Sequence, residues 1–179
     1  QRQMCIRDRI EADPTFVFHY MNSYEENGSI ICDCMEFGLP PLFPYADGTM
    51  PKQSEAEAKH ARWEIDIKNS KLIKTSLDNI TGEFPRFDER FALRKYTHGY
   101  YAGSIGNHPR GMSLNSIIHY DYNTGERKSY TTAEGGAVGE PVFAPKSKDS
   151  KDGEGWLIAT EYNGSENRSN LIFLDAQHV

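Results

Sequence analysis

The chain has 179 residues, of which 37% are hydrophobic and 12% aromatic, and it carries a formal net charge of −6. This acidic balance, without a cluster of lysines and arginines to neutralise phosphates, argues against a nucleic-acid partner. Because apolar runs stay shorter than the roughly 18 residues of a membrane span and no charged-then-apolar leader is visible, we expect a soluble, cytoplasmic globular protein of one or two domains.

The first nine residues differ from the rest of the chain. They show neither strand nor helix periodicity and hold three arginines in an otherwise acidic sequence. We interpret residues 1–9 as a foreign junction or assembly scar and assign residues 10–179 to the folded domain. The cysteines lack a second pair that would complete a zinc site, and we interpret Cys5, Cys32 and Cys34 as reduced structural residues.

The next stretch, FVFHYMNSYEE at residues 16–26, places His19 inside an aromatic run. Its β-branched and aromatic content predicts a strand buried on both faces. Two interpretations of His19 remain open: a core histidine satisfied by a backbone carbonyl, or a metal ligand, since neutral imidazole is the commonest one. A turn at residues 25–28 and a strand at residues 29–37 complete a predicted β-hairpin.

Strands and turns account for the rest of the chain. Residues 38–58 are predicted as a proline-rich loop that ends in one short helical turn. TGEFPRFDER at residues 81–90 is predicted as a polar loop that presents Glu83, with Arg86 and Asp88 forming a structural ion pair. No amphipathic helix of three turns is predicted. Further strands are predicted at residues 61–68, 71–77, 95–104, 114–122, 127–131, 141–144, 155–162 and 170–176.

An internal repeat emerges from the hairpin turns. Asp66, Asp121 and Asp175 recur with a spacing of about 55 residues, as expected for the blades of a β-propeller. A β-sandwich is the alternative, but it does not require such a repeat. This period gives about three to four blades, whereas closed propellers have four to eight, and an open arc leaves edge strands unpaired. We therefore predict an all-β, partial β-propeller that belongs to a longer chain.

Five motifs carry a family resemblance. FHYMNSYEE around His19, GEFPRFDER around Glu83, HYDYNTGE, GEPVFAP around Glu140, and FLDAQ occur in this order. In order and spacing, over residues 14–179, they resemble the carotenoid cleavage oxygenase family, which includes lignostilbene dioxygenases and the retinal pigment epithelium isomerase. The resemblance implies a seven-bladed propeller with a non-haem Fe(II) on its axis, bound by four histidines and supported by three glutamates. The chain would be the C-terminal part of such a protein.

The resemblance also assigns individual residues. His19 matches the third iron histidine, while Glu83 and Glu140 match two glutamates that hydrogen-bond to ligand imidazoles and so fix their tautomer. The remaining three histidine ligands and one glutamate would lie outside this chain. Phe18 and Phe84 are candidates for lining an apolar substrate tunnel, with core packing as the alternative. The other histidines are expected to be surface or satisfied residues: His60, His98, His108, His119 and His178.

The implied activity is cleavage of a carbon–carbon double bond of a carotenoid, apocarotenoid or stilbene-type substrate by O2, giving two carbonyl products. The iron would supply the electron chemistry, and the protein would position the apolar substrate and exclude water. Peripheral membrane contact would come from segments outside this chain. Two alternatives remain: a non-catalytic propeller that binds a partner, and a glycoside hydrolase whose Glu83 and Glu140 would face each other about 5 to 10 Å apart.

Overall fold

The computed structural model describes residues 9–106 and 114–179. Within them the only helical elements are two 3₁₀ turns, Gln53–Glu55 and Glu89–Phe91, and no helix is long and apolar enough to cross a membrane. The predicted all-β class is confirmed. Residues 1–8 with Cys5, and His108, lie outside the described residues. The strands are β1 (Phe16–Glu26), β2 (Ser29–Phe37), β3 (Ala58–Asp66), β4 (Lys71–Phe87), β5 (His98–Ser104), β6 (Ser116–Asp121), β7 (Arg127–Thr131), β8 (Ala137–Val138), β9 (Val142–Pro145), β10 (Gly155–Asn163) and β11 (Arg168–Asp175).

The strands form three consecutive antiparallel units. Strands β1 to β7 pair in chain order, and the long strand β4 serves two units: residues 71–76 pair with β3, residues 81–87 pair with β5, and Thr81 pairs with both. The first unit is therefore β1, β2, β3 and residues 71–76, and the second is residues 81–87, β5, β6 and β7. In the third unit, β8 and β9 both pair with β10, and β11 lies on the other side of β10.

Two hydrophobic cores lie in series between these units. Because successive side chains of a strand point to opposite faces, β5 and β6 supply both cores at once. Tyr101 and Ile118 face the first unit, where they pack with Met21, Met35 and Phe37. Their chain neighbours face the third unit, where Tyr100, Ala102 and Ile117 pack with Val138, Leu157 and Ala159. The second unit is thus covered on both faces.

The aspartate repeat marks the same position in each unit. Asp66 and Asp121 end the third strand of the first and second unit. Asp175 ends β11, which is the third strand of its unit when β8 and β9, which both pair with β10, are counted as one interrupted strand. Each carboxylate accepts backbone N–H groups of its turn: Asp66 from Asn69 at 3.0 Å, Asp121 from Asn123 at 2.7 Å, and Asp175 from Gln177 at 3.0 Å. These side-chain hydrogen bonds satisfy backbone amides of the turns that do not take part in strand pairing.

Three local predictions are wrong. The segment predicted as a polar loop at residues 81–90 continues β4 as far as Phe87, because residues 81–87 find a partner in β5. The predicted strand around His19 is not buried on both faces, since β1 is the edge strand of its sheet and leaves His19 and Tyr20 exposed. Arg86 and Asp88 do not pair with each other: Arg86 lies against Glu140, and Asp88 pairs with Arg90.

The two described cysteines, Cys32 and Cys34, are free and buried on one face of β2. Burial raises the pKa of the Cys32 thiol to about 11, and burial likewise raises the pKa of the Cys34 thiol. Both side chains are therefore thiols at neutral pH, which agrees with the predicted structural role.

Candidate metal centre

The residues assigned to iron binding occupy equivalent positions in the three units. His19, Glu83 and Glu140 each lie in or beside the first strand of a unit, at a point where that strand is irregular. Register shifts flank His19 in β1 and follow Glu83 in β4, and Glu140 lies in the gap between β8 and β9. Such irregularities re-aim side chains and are frequent beside active sites. The three side chains therefore occupy one edge of the series of units.

His19 extends from the bulge of β1 toward the second unit. Its Nδ1 lies 2.6 Å from Oε2 of Glu83, and its side chain is 49% exposed. The ring is flanked by Phe84, with centroids 5.6 Å apart, and by Phe18, with centroids 6.3 Å apart. Of the two interpretations of His19, the structure disfavours the core histidine held by a backbone carbonyl, because its partner is a carboxylate.

The sequence around Glu83 explains how this carboxylate is held. A Cβ at Gly82 would lie 2.6 Å from the ring of Tyr101, so only glycine allows this approach. Phe84 adopts a left-handed backbone with φ of 59°, which is uncommon for a bulky residue and typical of a functional constraint. In that conformation its N–H donates to Oε2 of Glu83 at 2.6 Å. Pro85 follows and has no N–H to offer to the sheet.

Glu83 is nearly inaccessible, with 5% of its surface exposed. Burial raises its pKa, although hydrogen bonds from the Phe84 amide and from His19 act in the opposite direction. Its second oxygen, Oε1, is buried without a hydrogen-bond partner among the described residues. A buried carboxylate in this state is costly unless a positive charge lies nearby. A cation on the far side of the His19 ring would lower that cost.

His19 and Glu83 fit one ligand of a four-histidine metal site and the carboxylate that supports it. Since Glu83 is an acceptor, the Nδ1 of His19 is the donor, which leaves the lone pair of Nε2 available to a metal. Across the described ranges, no three histidine, cysteine, aspartate or glutamate side chains come together in a way that could hold an ion. The residues present thus fit one iron ligand and its supporting carboxylate, and the other ligands would have to come from elsewhere.

Glu140 is held differently from Glu83. It is preceded by Gly139, whose N–H donates to the carbonyl of Thr160 at 2.8 Å, and followed by the buried Pro141. Its side chain is 43% exposed, and its Oε1 lies 2.6 Å from Nη2 of Arg86 in β4. No described histidine contacts Glu140, so its assignment as a partner of an iron ligand stays a prediction. Arg86 is the residue of this site that the sequence interpretation missed.

Phe18 and Phe84 are both half-buried. Phe18 packs edge-on against Phe16 and Phe37, with centroids 4.8 Å and 5.5 Å away, at the rim of the first core. Phe84 packs at the rim of the second core. Each ring therefore contributes to core packing and also lies tilted against the His19 ring, so a role in lining a tunnel stays a prediction.

The other described histidines have partners away from His19. His60 is fully buried and its Nε2 lies 2.7 Å from the hydroxyl of Tyr122. Nδ1 of His98 lies 3.0 Å from Nε2 of His119. His178 is exposed at the surface and contacts Asp175 at 2.9 Å. His178 is a surface residue, as predicted, whereas the Nδ1 atoms of His60 and His119 are buried without a hydrogen-bond partner among the described residues, so these two rings are only partly satisfied.

Comparison with known proteins gives one family for the whole chain. The family model described as retinal pigment epithelial membrane protein matches residues 1–179. Similar curated proteins include isoeugenol monooxygenase of Pseudomonas putida, 31% identical over 93% of this chain and 37% of its own length. Apocarotenoid-15,15'-oxygenase of Synechocystis is 30% identical over 96% of this chain and 35% of its own length.

Solved structures give the same result for the fold. Lignostilbene dioxygenase of Pseudomonas brassicacearum superposes with a TM-score of 0.83 at 27% identity, covering 93% of this chain and 37% of that protein. Cobalt-substituted ACO of Synechocystis also superposes with a TM-score of 0.83, at 29% identity, covering 96% of this chain and 36% of that protein. The chain thus spans little more than a third of the proteins it matches. The predicted partial propeller is confirmed, with three units described.

Proposed function

The chain belongs to the carotenoid oxygenase family, and we propose that it is part of a longer non-haem Fe(II) dioxygenase, called the complete enzyme below. The proposed reaction cleaves one carbon–carbon double bond of a carotenoid, apocarotenoid or stilbene-type substrate with O2, and each half of the substrate receives one oxygen atom as a carbonyl. Relatives of this chain are oxygenases by name, which supports the reaction class.

The observation that carries this proposal is the hydrogen bond between His19 and Glu83. A metal-binding histidine normally donates its other ring N–H to a carboxylate or carbonyl, which fixes the tautomer and aims the ring. Nδ1 of His19 and Oε2 of Glu83 lie 2.6 Å apart, and the Phe84 N–H holds the same oxygen. Oε2 of Glu83 is therefore held by two donors, and the orientation of the imidazole is fixed with it.

Each residue has a defined role in this proposal. His19 would be one of four iron ligands through Nε2, Glu83 would keep the proton on Nδ1, and Glu140 would support a histidine from another part of the complete enzyme. When bound, the iron supplies the electron chemistry that couples O2 to the alkene. Phe18 and Phe84 would place an apolar substrate beside His19 and exclude water from it.

The two glutamates do not fit paired hydrolytic catalysis. A glycoside hydrolase needs one carboxylic acid and one carboxylate that face each other across a sugar. Here Glu83 is committed to His19 and Glu140 to Arg86. We further propose that the complete enzyme is cytoplasmic and meets its apolar substrate through peripheral membrane contact, without a nucleic-acid partner.

The test is a His19→Ala variant of the complete enzyme. We expect it to lose oxygen-dependent alkene cleavage and to retain less iron than the unaltered protein, because one of four ligands is gone. Iron content is measured by elemental analysis, and cleavage by the appearance of carbonyl products. His178→Ala is the matched control, since that histidine is exposed and, among the described residues, its ring pairs with the turn aspartate Asp175. Full iron content and activity in His19→Ala would contradict the proposal.

A further inference from the structure

The small stability contribution expected from the ion pair of Arg86 with Glu140 does not explain why Arg86 lies at this site. The Arg86 side chain is 35% exposed and that of its partner Glu140 is 43% exposed. Ion pairs this exposed contribute little to stability. The Nε of Arg86 is buried without a hydrogen-bond partner in the part of the chain that the structure describes. An unsatisfied buried donor is a cost that native structures rarely carry without a reason.

The bulge that presents Glu83 also determines where Arg86 points. From Glu83 to Arg86, β4 advances three residues while β5 advances two, so that Glu83 lies opposite Ala102 and Arg86 opposite Tyr100. Both of these β5 residues face the third unit. Without the extra residue Arg86 would lie on the other face of the strand. The irregularity that follows Glu83 therefore directs Arg86 toward Glu140.

The contact commits only half of the Glu140 carboxylate. Nη2 of Arg86 lies 2.6 Å from Oε1, while Nη1 lies 3.5 Å from the exposed carboxylate of Glu89. Oε2 of Glu140 has no partner among the described residues. The guanidinium thus balances the charge of Glu140 and leaves its second oxygen available to another donor.

We propose that Arg86 is a positioning residue of the metal centre: it holds one oxygen of Glu140 so that the other can accept an imidazole N–H from the rest of the complete enzyme. This inference rests on the proposed function. Arg86 itself touches neither metal nor substrate, and it acts through the orientation and charge of Glu140. It also couples the second unit to the third at the edge where His19 and Glu83 lie.

The test compares Arg86→Met, Glu140→Gln and the double variant in the complete enzyme loaded with Co(II). Affinity is measured by competition with a chelator, and ligand geometry by the visible absorbance of the bound cobalt. We expect each single variant to weaken binding about tenfold and to change the spectrum, as losses of supporting groups do. The cobalt affinity of the double variant should equal, within about twofold, that of the single variant that binds more weakly. The reason is that the two substitutions remove the same interaction.

Two further variants separate positioning from general stability. Arg86→Lys keeps a positive charge and should retain affinity within about threefold of the unaltered enzyme, although it lacks the planar fork. Glu89→Gln removes only the long, exposed contact and should leave both affinity and spectrum unchanged. If Arg86→Met does not fold by circular dichroism, Arg86→Gln replaces it in every comparison.

The following outcomes would overturn the proposal. Arg86→Met could bind cobalt with unaltered affinity and spectrum, or its effect could multiply with that of Glu140→Gln, and either result would make the ion pair merely structural. If the unaltered enzyme bound no stoichiometric cobalt, the proposed function would fail and the role of Arg86 with it. Cobalt binding that depends on His19 but not on Arg86 would overturn only the inference about Arg86.

Discussion

Two histidines of the first unit lie beside carboxylates of β4, and the two pairs differ in almost every physical respect. In one, His19 of β1 lies 2.6 Å from Glu83, and half of the imidazole remains exposed. In the other, His60 of β3 lies 3.8 Å from Asp78, and both side chains are almost completely buried. Both carboxylates come from the same strand, β4. The residue types therefore do not distinguish a candidate ligand from a structural pair.

The surroundings of His60 leave no room for a metal. Its Nε2 meets the Tyr122 hydroxyl, and the rings of Tyr101, Tyr120 and Tyr122 lie with centroids 5.0 to 5.6 Å from the imidazole. Burial tends to raise the pKa of Asp78, but hydrogen bonds, including one from the Tyr101 hydroxyl at 2.6 Å, keep that pKa below its ordinary value. His60 is enclosed by protein, whereas Nε2 of the half-exposed His19 has no partner in the part of the chain that the structure describes.

The comparison teaches that exposure of the second ring nitrogen, together with a fixed first nitrogen, marks the candidate ligand. A carboxylate partner alone is insufficient, because His60 has one nearby. The edge position of β1 supplies the exposure, and the bulge at Glu83 supplies the short hydrogen bond. If this distinction is correct, substitutions in the two pairs should affect different properties, stability for His60 and metal binding for His19.

The largest expected effect is on stability and comes from His60→Ala. Removing this buried ring leaves a cavity and an unpaired Tyr122 hydroxyl, and we expect the complete enzyme to lose about 3 to 4 kcal/mol in free energy of unfolding. Urea denaturation measures the loss, and iron content should stay near that of the unaltered enzyme. His60→Gln, which can keep one hydrogen bond, should lose less. Loss of iron without loss of stability would instead make His60 a ligand.

Substitutions in the His19–Glu83 pair should change metal affinity. In Glu83→Gln the acceptor of the His19 N–H loses its charge, and we expect the metal affinity to fall about 10 to 100-fold. Stability should change little, because an uncharged side chain is cheaper to bury at a site where burial raises the carboxylate pKa. Asp78→Asn is the matched variant, and it should lower the urea midpoint and leave the affinity unchanged. The opposite assignment of effects would remove the distinction between the pairs.

Part of this arrangement could be predicted from sequence. The strand pattern predicted most strands, the aspartate spacing predicted the repeated turns, and the motif order placed His19 and Glu83 in one site. Other features depend on contacts that local sequence does not record. The continuation of β4 through Gly82 and Pro85 depends on pairing with β5. The short strand β8 has two residues and no periodicity, and the pairing of Arg86 with Glu140 joins residues 54 positions apart in different units.

A second buried histidine shows the effect of burial without a carboxylate partner. His119 is 4% exposed and contacts His98 instead of an acidic group. Burial, together with the nearby His98, lowers its pKa to about 4. Since the unfolded chain would bind this proton near pH 6.5, its contribution to stability is complete above pH 6.5 and is lost as the pH falls toward 4.

The lowered pKa of His119 predicts that the free energy of unfolding decreases at acidic pH. At pH 5 the unfolded state carries the proton and the folded state largely does not, so stability should be about 2 kcal/mol lower than at pH 7.5 from this group alone. Urea midpoints at both pH values measure the difference. His119→Phe, which keeps an aromatic ring against Tyr100, should show a smaller decrease. An equal decrease in both proteins would assign the pH effect to other groups.

The smallest expected effect lies at the turn that positions the partner of His60. Asp121 accepts N–H bonds from Asn123 at 2.7 Å and Thr124 at 3.2 Å, and Tyr122, which contacts His60, lies within this turn. Asp121→Ala removes both bonds in a solvated turn, and we expect a loss of about 0.5 to 1 kcal/mol in free energy of unfolding with unchanged metal affinity. Asp149→Ala, at an exposed position, should cost less. Asp121 supports the His60 pair and not the His19 pair. A lower metal affinity in Asp121→Ala would therefore show that the two pairs are coupled through the second unit. The separation between structural and functional histidines would then have to be abandoned.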